Sequence, residues 1–399
     1  MNILILIFLL SPTFATTISV GDLIKLGEAY SPQIRVQELN LSASENLLKQ
    51  SRILSNPVFT FQGGSLKSGS QAGAVVDFTL GQPLPWPGKR KARIESQEFS
   101  LKIAQLSQEE AKLQVAHRIF INVAELAALQ ELEGHYSERK RRFALIEKSL
   151  RSRPLASPKQ KADRDLIESQ INLMEKTMLD LIARKEGLFW DLKIFTNSSF
   201  DKVFFPWESL PNALNRNDYV QSLENSPRFK QIKLELSLAE NKITQARLEA
   251  RPDVMVGLNY RQENVAPVNH FYHGQVAVVI PIVDYGQHSV EVARAERSRT
   301  SAFHNFERDQ LSSLVHQYFA QYEASKKSTE VFKFKNLGQI EKNFYDAEES
   351  FRKGLIDALT FLQIDSQVHE NIDQIYLSRV SYVASISNLN LLIGKAPEI

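Results

Sequence analysis

Two stretches of the chain are copies of one another, and that duplication limits the possible folds more than any other feature. The segment SPQIRVQELNLSASENLLKQSRILSNP, beginning at Ser31, aligns without a gap on SPRFKQIKLELSLAENKITQARLEARP, beginning at Ser226. Leu39, Leu41, Ser42, Glu45, Asn46, Gln50, Arg52 and Pro57 recur as Leu234, Leu236, Ser237, Glu240, Asn241, Gln245, Arg247 and Pro252, and the opening Ser-Pro recurs with them. Farther along, LIESQI around Glu168 echoes QIDSQV around Asp365. A period of about 200 residues is far longer than that of stacked solenoid repeats, so the chain reads as two copies of one half-domain.

Each copy opens with an apolar-periodic segment between two prolines, Pro32 to Pro57 and Pro227 to Pro252, enough for about six helical turns. After the second proline the hydrophobic period changes from 3.6 to 2. Val254, Val256, Leu258 and Tyr260 alternate with Asp253, Met255, Gly257, Asn259 and Arg261, and Val76, Phe78 and Leu80 alternate with Asp77, Thr79 and Gly81. Val276, Val278, Ile280 and Ile282 share one face of a further strand, and PVFTFQGG is a shorter fourth case. Turn-rich LKSGSQAG and ENVAPVNHFY connect them. The pattern predicts one β-hairpin per copy, with strands of roughly 9 to 11 residues that cross an outer-membrane bilayer when tilted.

Two long helices follow each hairpin. Between Gly88 and Pro154 there is no proline and a single glycine, Gly134, which allows a helix of about 100 Å. Its apolar positions include Ala111, Val115, Ile119, Val123 and Leu126. On the return, Ile167, Met174, Leu181, Leu188 and Phe195 recur at seven, beside Ile171, Met178 and Leu192. In the second copy Leu337, Phe344 and Phe351 recur at seven with Ile340 and Ala347, and Ile375, Tyr382 and Leu389 with Ile386 and Ile393. These are heptad seams of antiparallel helical hairpins, with tips at SRPLASPK and RKGLID.

The expected fold is mainly α with a pair of membrane β-hairpins. Its boundaries are 16–56 for the N-terminal segment and first opening helix, 57–83 for the first hairpin and 88–196 for the first helical hairpin. A linker occupies 197–225, followed by the second opening helix at 226–251, the second hairpin at 252–283, the second helical hairpin at 286–394 and a tail at 395–399. At the other end, MNILILIFLL followed by SPTFA reads as a secretory signal peptide, residues 1–15, cut after Ala15.

Four strands cannot close a barrel, and in lipid an open sheet leaves two unpaired edges. The sequence therefore predicts an oligomer with a shared barrel. Two chains give eight strands and a filled lumen; three give twelve and room for a conduit. Asp77, Thr79, Asp253, Asn259 and Arg261 are the candidates for a wet lumen. The helical hairpins then continue as a hollow stack, giving a tube with one membrane end and one periplasmic end.

The duplicated unit, with its SP openings, PIVDYGQ after the fourth strand and FRKGLIDALTFLQIDSQ at the second tip, resembles the TolC-like outer-membrane efflux proteins across residues 18–394. QPLPWPGKRKAR, closing the second strand, is similar to the corresponding segment of the heavy-metal efflux members. The resemblance implies a homotrimer with a twelve-stranded barrel in the outer membrane of a Gram-negative bacterium and an α-helical periplasmic tunnel. It further implies docking to a periplasmic adaptor and an inner-membrane pump of RND, ABC or MFS type, in a tripartite efflux or type I secretion system. The tip residues are Leu150, Arg151, Leu155, Ala156 and Ser157 on the first hairpin and Arg352, Gly354 and Leu355 on the second. Where some members close the tunnel with paired Asp, this chain has Thr360 and Gln363, leaving Asp357 and Asp365 as candidates for an acidic ring that concentrates negative potential.

Composition removes most alternatives. With 43% hydrophobic residues the chain can build a core, and 48 Lys plus Arg against 46 Asp plus Glu give no electrostatic case for nucleic acid. Cysteine is absent, which excludes disulfides, thiol catalysis and Cys-ligated zinc. No phosphate-binding glycine loop, H-E-x-x-H or G-x-S-x-G occurs, so no enzyme, cofactor or metal site is expected. His270 and His273 read as exposed loop residues. Trp86, Lys89 and Arg90, followed by Lys91 and Arg93, read as a membrane-interface anchor for lipid headgroups, and the cluster from Arg139 to Arg142 as a surface for an acidic adaptor. The competing reading is a soluble periplasmic coiled-coil scaffold, which needs the helices but not the alternating strands.

Overall fold

The structure, a computed structural model, describes residues 17–68, 71–152, 157–210, 212–264, 267–331 and 337–398. The leader and the tip residues Leu155 and Ala156 lie outside the described residues. In chain order, β1 (Thr17–Ser19) leads into α1 (Val20–Tyr30) and α2 (Pro32–Ser51). A hairpin of β2 (Val58–Ser68) and β3 (Gln71–Leu84) is followed by α3 (Lys89–Arg151) and α4 (Pro158–Thr196). β4 (Lys202–Phe204) and α5 (Arg216–Ser222) connect to the second copy: α6 (Pro227–Glu249), β5 (Val254–Asn264), β6 (Asn269–Val278), α7 (Gln287–Val331), α8 (Leu337–Arg352) and α9 (Ala358–Leu392).

Local chemistry sets these limits. Pro32 and Pro227 each open a helix, where the missing N–H costs nothing. Asn197, in the left-handed region at φ 48°, ends α4, with its backbone N–H bonded to the Lys193 carbonyl. Two elements differ from the sequence expectation. β6 ends at Val278, so Ile280 and Ile282 are not strand residues; Pro281 lacks a ladder donor and restricts the residue before it. The second hairpin's connection is also shorter than its composition suggests, and His270 and His273 are strand residues of β6 rather than loop residues. Residues 332–336, between α7 and α8, lie outside the described ones.

The chain forms two compact units, and each takes residues from both copies. One comprises Gln37–Glu109 and Pro227–Gln310. It contains a four-stranded antiparallel sheet in the order β2-β3-β5-β6, in which β3 of the first copy pairs with β5 of the second. Beside the sheet, Asn241 and Gln245, two of the repeated positions, tie α6 to α3. Ser96 Oγ donates to Asn241 Oδ1 at 2.8 Å and lies 3.1 Å from Gln245 Oε1, and Asn241 Nδ2 donates to Glu95 at 2.9 Å.

The other unit comprises Met1–Val36, Glu110–Ser226 and Leu311–Ile399. Its cores are the heptad seams. Val115, Ile119, Val123 and Leu126 of α3 pack with Leu192 and Phe195 of α4, Leu23 of α1 and Val383 of α9. A second cluster joins Phe143 and Ile146 of α3, Ile167 and Met174 of α4, Phe344 and Phe351 of α8, and Phe361 and Ile372 of α9. Each such fully buried side chain contributes roughly 1.5–3 kcal/mol. β1 pairs in parallel with β4, Ile18 opposite Val203.

Candidate functional site

Alternation gives the sheet two unlike faces. Phe61 pairs with Phe78, Phe78 with Tyr260 and Tyr260 with Tyr272, so one aromatic row crosses all four strands. The ring centroids lie 5.3, 6.1 and 5.1 Å apart. Leu258 and Val276 share this face and are 73% and 69% exposed. An apolar surface this open on a folded sheet needs a non-aqueous neighbour. No described helix is long and apolar enough to cross a membrane.

The opposite face carries four of the five lumen candidates. Asp77 stands opposite Arg261 and Thr79 opposite Asn259. Asn259 Nδ2 donates to Thr79 Oγ1 at 2.7 Å, and Arg261 pairs with Glu263 at 2.8 Å. Gly81 and Gly257 meet on the same face, where a Cβ on Gly257 would come within 2.8 Å of the Leu80 carbonyl. The two hairpins are thus pressed together where a side chain has no room.

The fifth candidate, Asp253, is not in a strand. It precedes β5, accepts the Trp86 backbone N–H at 2.8 Å and pairs with Lys89 at 2.9 Å. Burial raises its pKa, but the N–H and the ammonium outweigh that and hold the carboxyl below its ordinary range. Lys89 is therefore not the free lipid anchor expected from the sequence: it is buried between Asp253 and Glu249, the latter at 3.6 Å. Arg90 donates to the Arg52 carbonyl and stays exposed, as does Trp86. The Arg139–Arg142 cluster is likewise committed within the chain. Lys140 pairs with Glu175, Arg141 and Arg142 both pair with Glu138, and Arg139 is buried.

At the second tip, α8 ends in a Schellman turn. Gly354 at φ 73° donates to the Phe351 carbonyl and Leu355 to the Ser350 carbonyl, both at 2.9 Å. Asp357 then caps α9 by accepting the Thr360 N–H at 2.9 Å, so it closes a helix end rather than standing free. Its carboxyl is held below the ordinary range, chiefly by hydrogen bonds from Thr360. Leu355 projects 74% exposed. Thr360 and Gln363 lie on the exposed side of α9, Arg352 pairs with Glu348, and Arg151 pairs with Glu147. At the first tip Leu150 packs on the core and Ser157 caps α4. Asp365 contradicts its assignment: it is fully buried and ion-paired to Arg139, so it lies on no open surface of the chain.

Residues 219–395 match the family described as outer membrane efflux protein. The fold superposes on CusC, whose conformational changes accompany transmembrane channel formation, with a TM-score of 0.76 at 12% identity over 96% of this chain and 94% of that one. On VceC, an outer membrane protein of Vibrio cholerae, the TM-score is 0.76 at 14% identity over 95% and 97%. On the open MtrE outer membrane channel of Neisseria gonorrhoeae it is 0.74 at 13% identity over 95% and 89%. No curated protein matches the sequence.

The chain has the fold of these outer-membrane channels.

One feature of this channel-like fold escaped the sequence reading: a buried polar network between α3 and α9. Arg139 forms a bidentate pair with Asp365, its Nε 3.2 Å from Oδ1. His369 Nε2 lies 3.0 Å from the same Oδ1, an ion-pair distance without hydrogen-bond alignment. His135 Nε2 meets His369 Nδ1 at 2.9 Å, and Tyr136 donates to Asp373 at 2.8 Å. Burial lowers the pKa of both histidines, that of His135 to about 4 with help from His369, Arg139 and Arg142. Burial raises that of Asp373. The signal lay in the spacing. Leu132, Tyr136, Arg139, Phe143, Ile146 and Leu150 recur at four and three, as do Ala358, Phe361, Asp365, Val368, Ile372 and Ile375, which puts a charge on each of two apolar seams.

Proposed function

We propose that the chain is one protomer of an outer-membrane exit duct, a passive conduit from the periplasm of a Gram-negative bacterium to the exterior. Three copies share a twelve-stranded barrel, and helical hairpins line the periplasmic passage. The tips around Leu150, Arg151, Ser157, Arg352, Gly354 and Leu355 dock to a periplasmic adaptor that couples the duct to an inner-membrane pump. The observation that carries this reading is the four-stranded sheet, apolar on one face and polar on the other, whose order leaves β2 and β6 at its edges. Pairing β6 of one copy with β2 of the next satisfies both edges, which lipid requires. Among the former constriction candidates, Thr360 and Gln363 are the exposed ones, so a neutral polar ring fits this chain better than an acidic one.

Native mass spectrometry of the detergent-extracted outer-membrane fraction tests the assembly. A mass of three mature chains is expected; a monomer or dimer in the soluble periplasmic fraction refutes the duct and favours a scaffold. The likeness of QPLPWPGKRKAR to the heavy-metal members makes tolerance of metal salts the first substrate assay, and unchanged tolerance in a deletion strain removes that branch.

A further inference from the structure

Conduction and docking make no use of the histidine pair at the α3–α9 seam. His369 Nε2 stands 3.0 Å from the Asp365 carboxyl without hydrogen-bond alignment, and His135 Nε2 and His369 Nδ1, 2.9 Å apart, share one hydrogen between them. Two neutral imidazoles suit that bond, and His135 Nδ1 lies outside it. A proton there creates an imidazolium beside the Arg139 and Arg142 guanidiniums. The side chains lining the adjoining cavity of about 80 Å³ include His135, Glu138, Arg139, Arg142 and His369.

We propose that His135, His369, Asp365 and Arg139 form a proton-operated latch that holds α9 against α3 at neutral pH and releases it in acid. The inference does not depend on the duct reading, because it needs only the packing of these two helices.

Groups on every packed element bear on the balance. On α3, Glu138 is neutralised by Arg141 and Arg142, and Tyr136 is bonded to Asp373. On α8, Phe344 lies edge-on to His369, its centroid 5.8 Å away, and Tyr345 bonds Arg142. On α4, Glu175 is paired with Lys140 of α3. On α9, Glu370 and Asp373 supply the remaining negative charge near the pair.

The sign follows from linkage. His135 binds protons more weakly when the helices are closed than when they part, since its pKa falls from 6.5 to about 4. The stabilisation is therefore complete above about pH 6.5 and is lost as pH falls towards 4. Asp373, raised by burial, acts the other way, taking up a proton and favouring the closed form as pH drops. For the full His135 shift, the closed-to-open ratio falls about thirtyfold between pH 7.5 and 5. Because His135 is only half-buried, solvent screening reduces this to about tenfold.

His117, buried against Ser387 and the Lys395 carbonyl, also has a lowered pKa, so the readout must be local. Amide protection factors for residues 361–376 should fall about tenfold between pH 7.5 and 5 in the detergent-extracted protein. The loss should be smaller in His135→Gln, which keeps a side-chain N–H donor but does not titrate, with His369, also lowered by burial, carrying the remainder. Deuterium exchange at the imidazole C2 position measures the His135 titration in the unaltered chain and needs no variant. A midpoint well below 6.5 supports the latch. A midpoint near 6.5, or the same tenfold loss in His135→Gln, overturns it.

Discussion

Removing either partner of the Arg139–Asp365 pair should damage the protein far more than removing both. Asp365 has no exposed surface and Arg139 is 7% exposed, so each charge has left water and relies on the other. Asp365→Leu strands a guanidinium between the Tyr136 and Phe143 rings, and Arg139→Met strands a carboxylate beside His369. Either change costs about 3–5 kcal/mol, because an unpaired buried charge remains. That is roughly two to three and a half orders of magnitude in the local opening constant of α9. The double variant Arg139→Met with Asp365→Leu removes both charges, and Arg139 borders a cavity of about 80 Å³ that gives the new side chains room to repack. It should return to within about 1 kcal/mol of the parent or exceed it. Amide exchange of peptides from 358–376, at pH 7.5 in detergent, reads the effect. Single variants within about 1 kcal/mol of the parent would refute the burial argument. A double variant as poor as the sum of the singles would refute the pairing.

Gly257→Val should prevent correct joining of the two hairpins, because its Cβ meets backbone of β3 rather than a movable side chain; heat-resistant oligomer on a gel should be lost, while Gly274→Val, where nothing lies within 4 Å, should leave it intact. Gly354→Ala, at φ 73°, should cost about 1–2 kcal/mol at the second tip and raise protease sensitivity there. Asp253, with its lowered pKa, contributes stability above its ordinary range near 3.8 that is lost as pH falls further. Asp253→Asn should remove that acid dependence from amide exchange of the β5 entry.

Much of the fold was legible because the repeat, the proline positions and the change of period all speak locally. The sheet faces followed from alternation alone. The errors came where a residue's partner is distant in sequence. Lys89 looked free because Asp253 and Glu249 belong to the other copy, and Asp365 looked available because its partner Arg139 lies 226 residues away. Its heptad position was the better guide. Ile280 and Ile282 continued the alternation past the point where Pro281 ends the ladder, and Pro267 made the first strand residues of β6 look like loop.

The pairing of Phe78 with Tyr260 joins residues made at very different times during synthesis. Until β5 is available, β3 has a partner on one side only, and the hairpin of β2 and β3 presents bare edges and an apolar face to water. A chain stopped before residue 254 carries this sticky intermediate with no means of completing it. Contact order is high by construction, so on the duct reading proposed above the first hairpin needs shielding between export and insertion. Depleting periplasmic holdase capacity should therefore reduce its yield before it reduces that of a barrel whose successive strands pair in order.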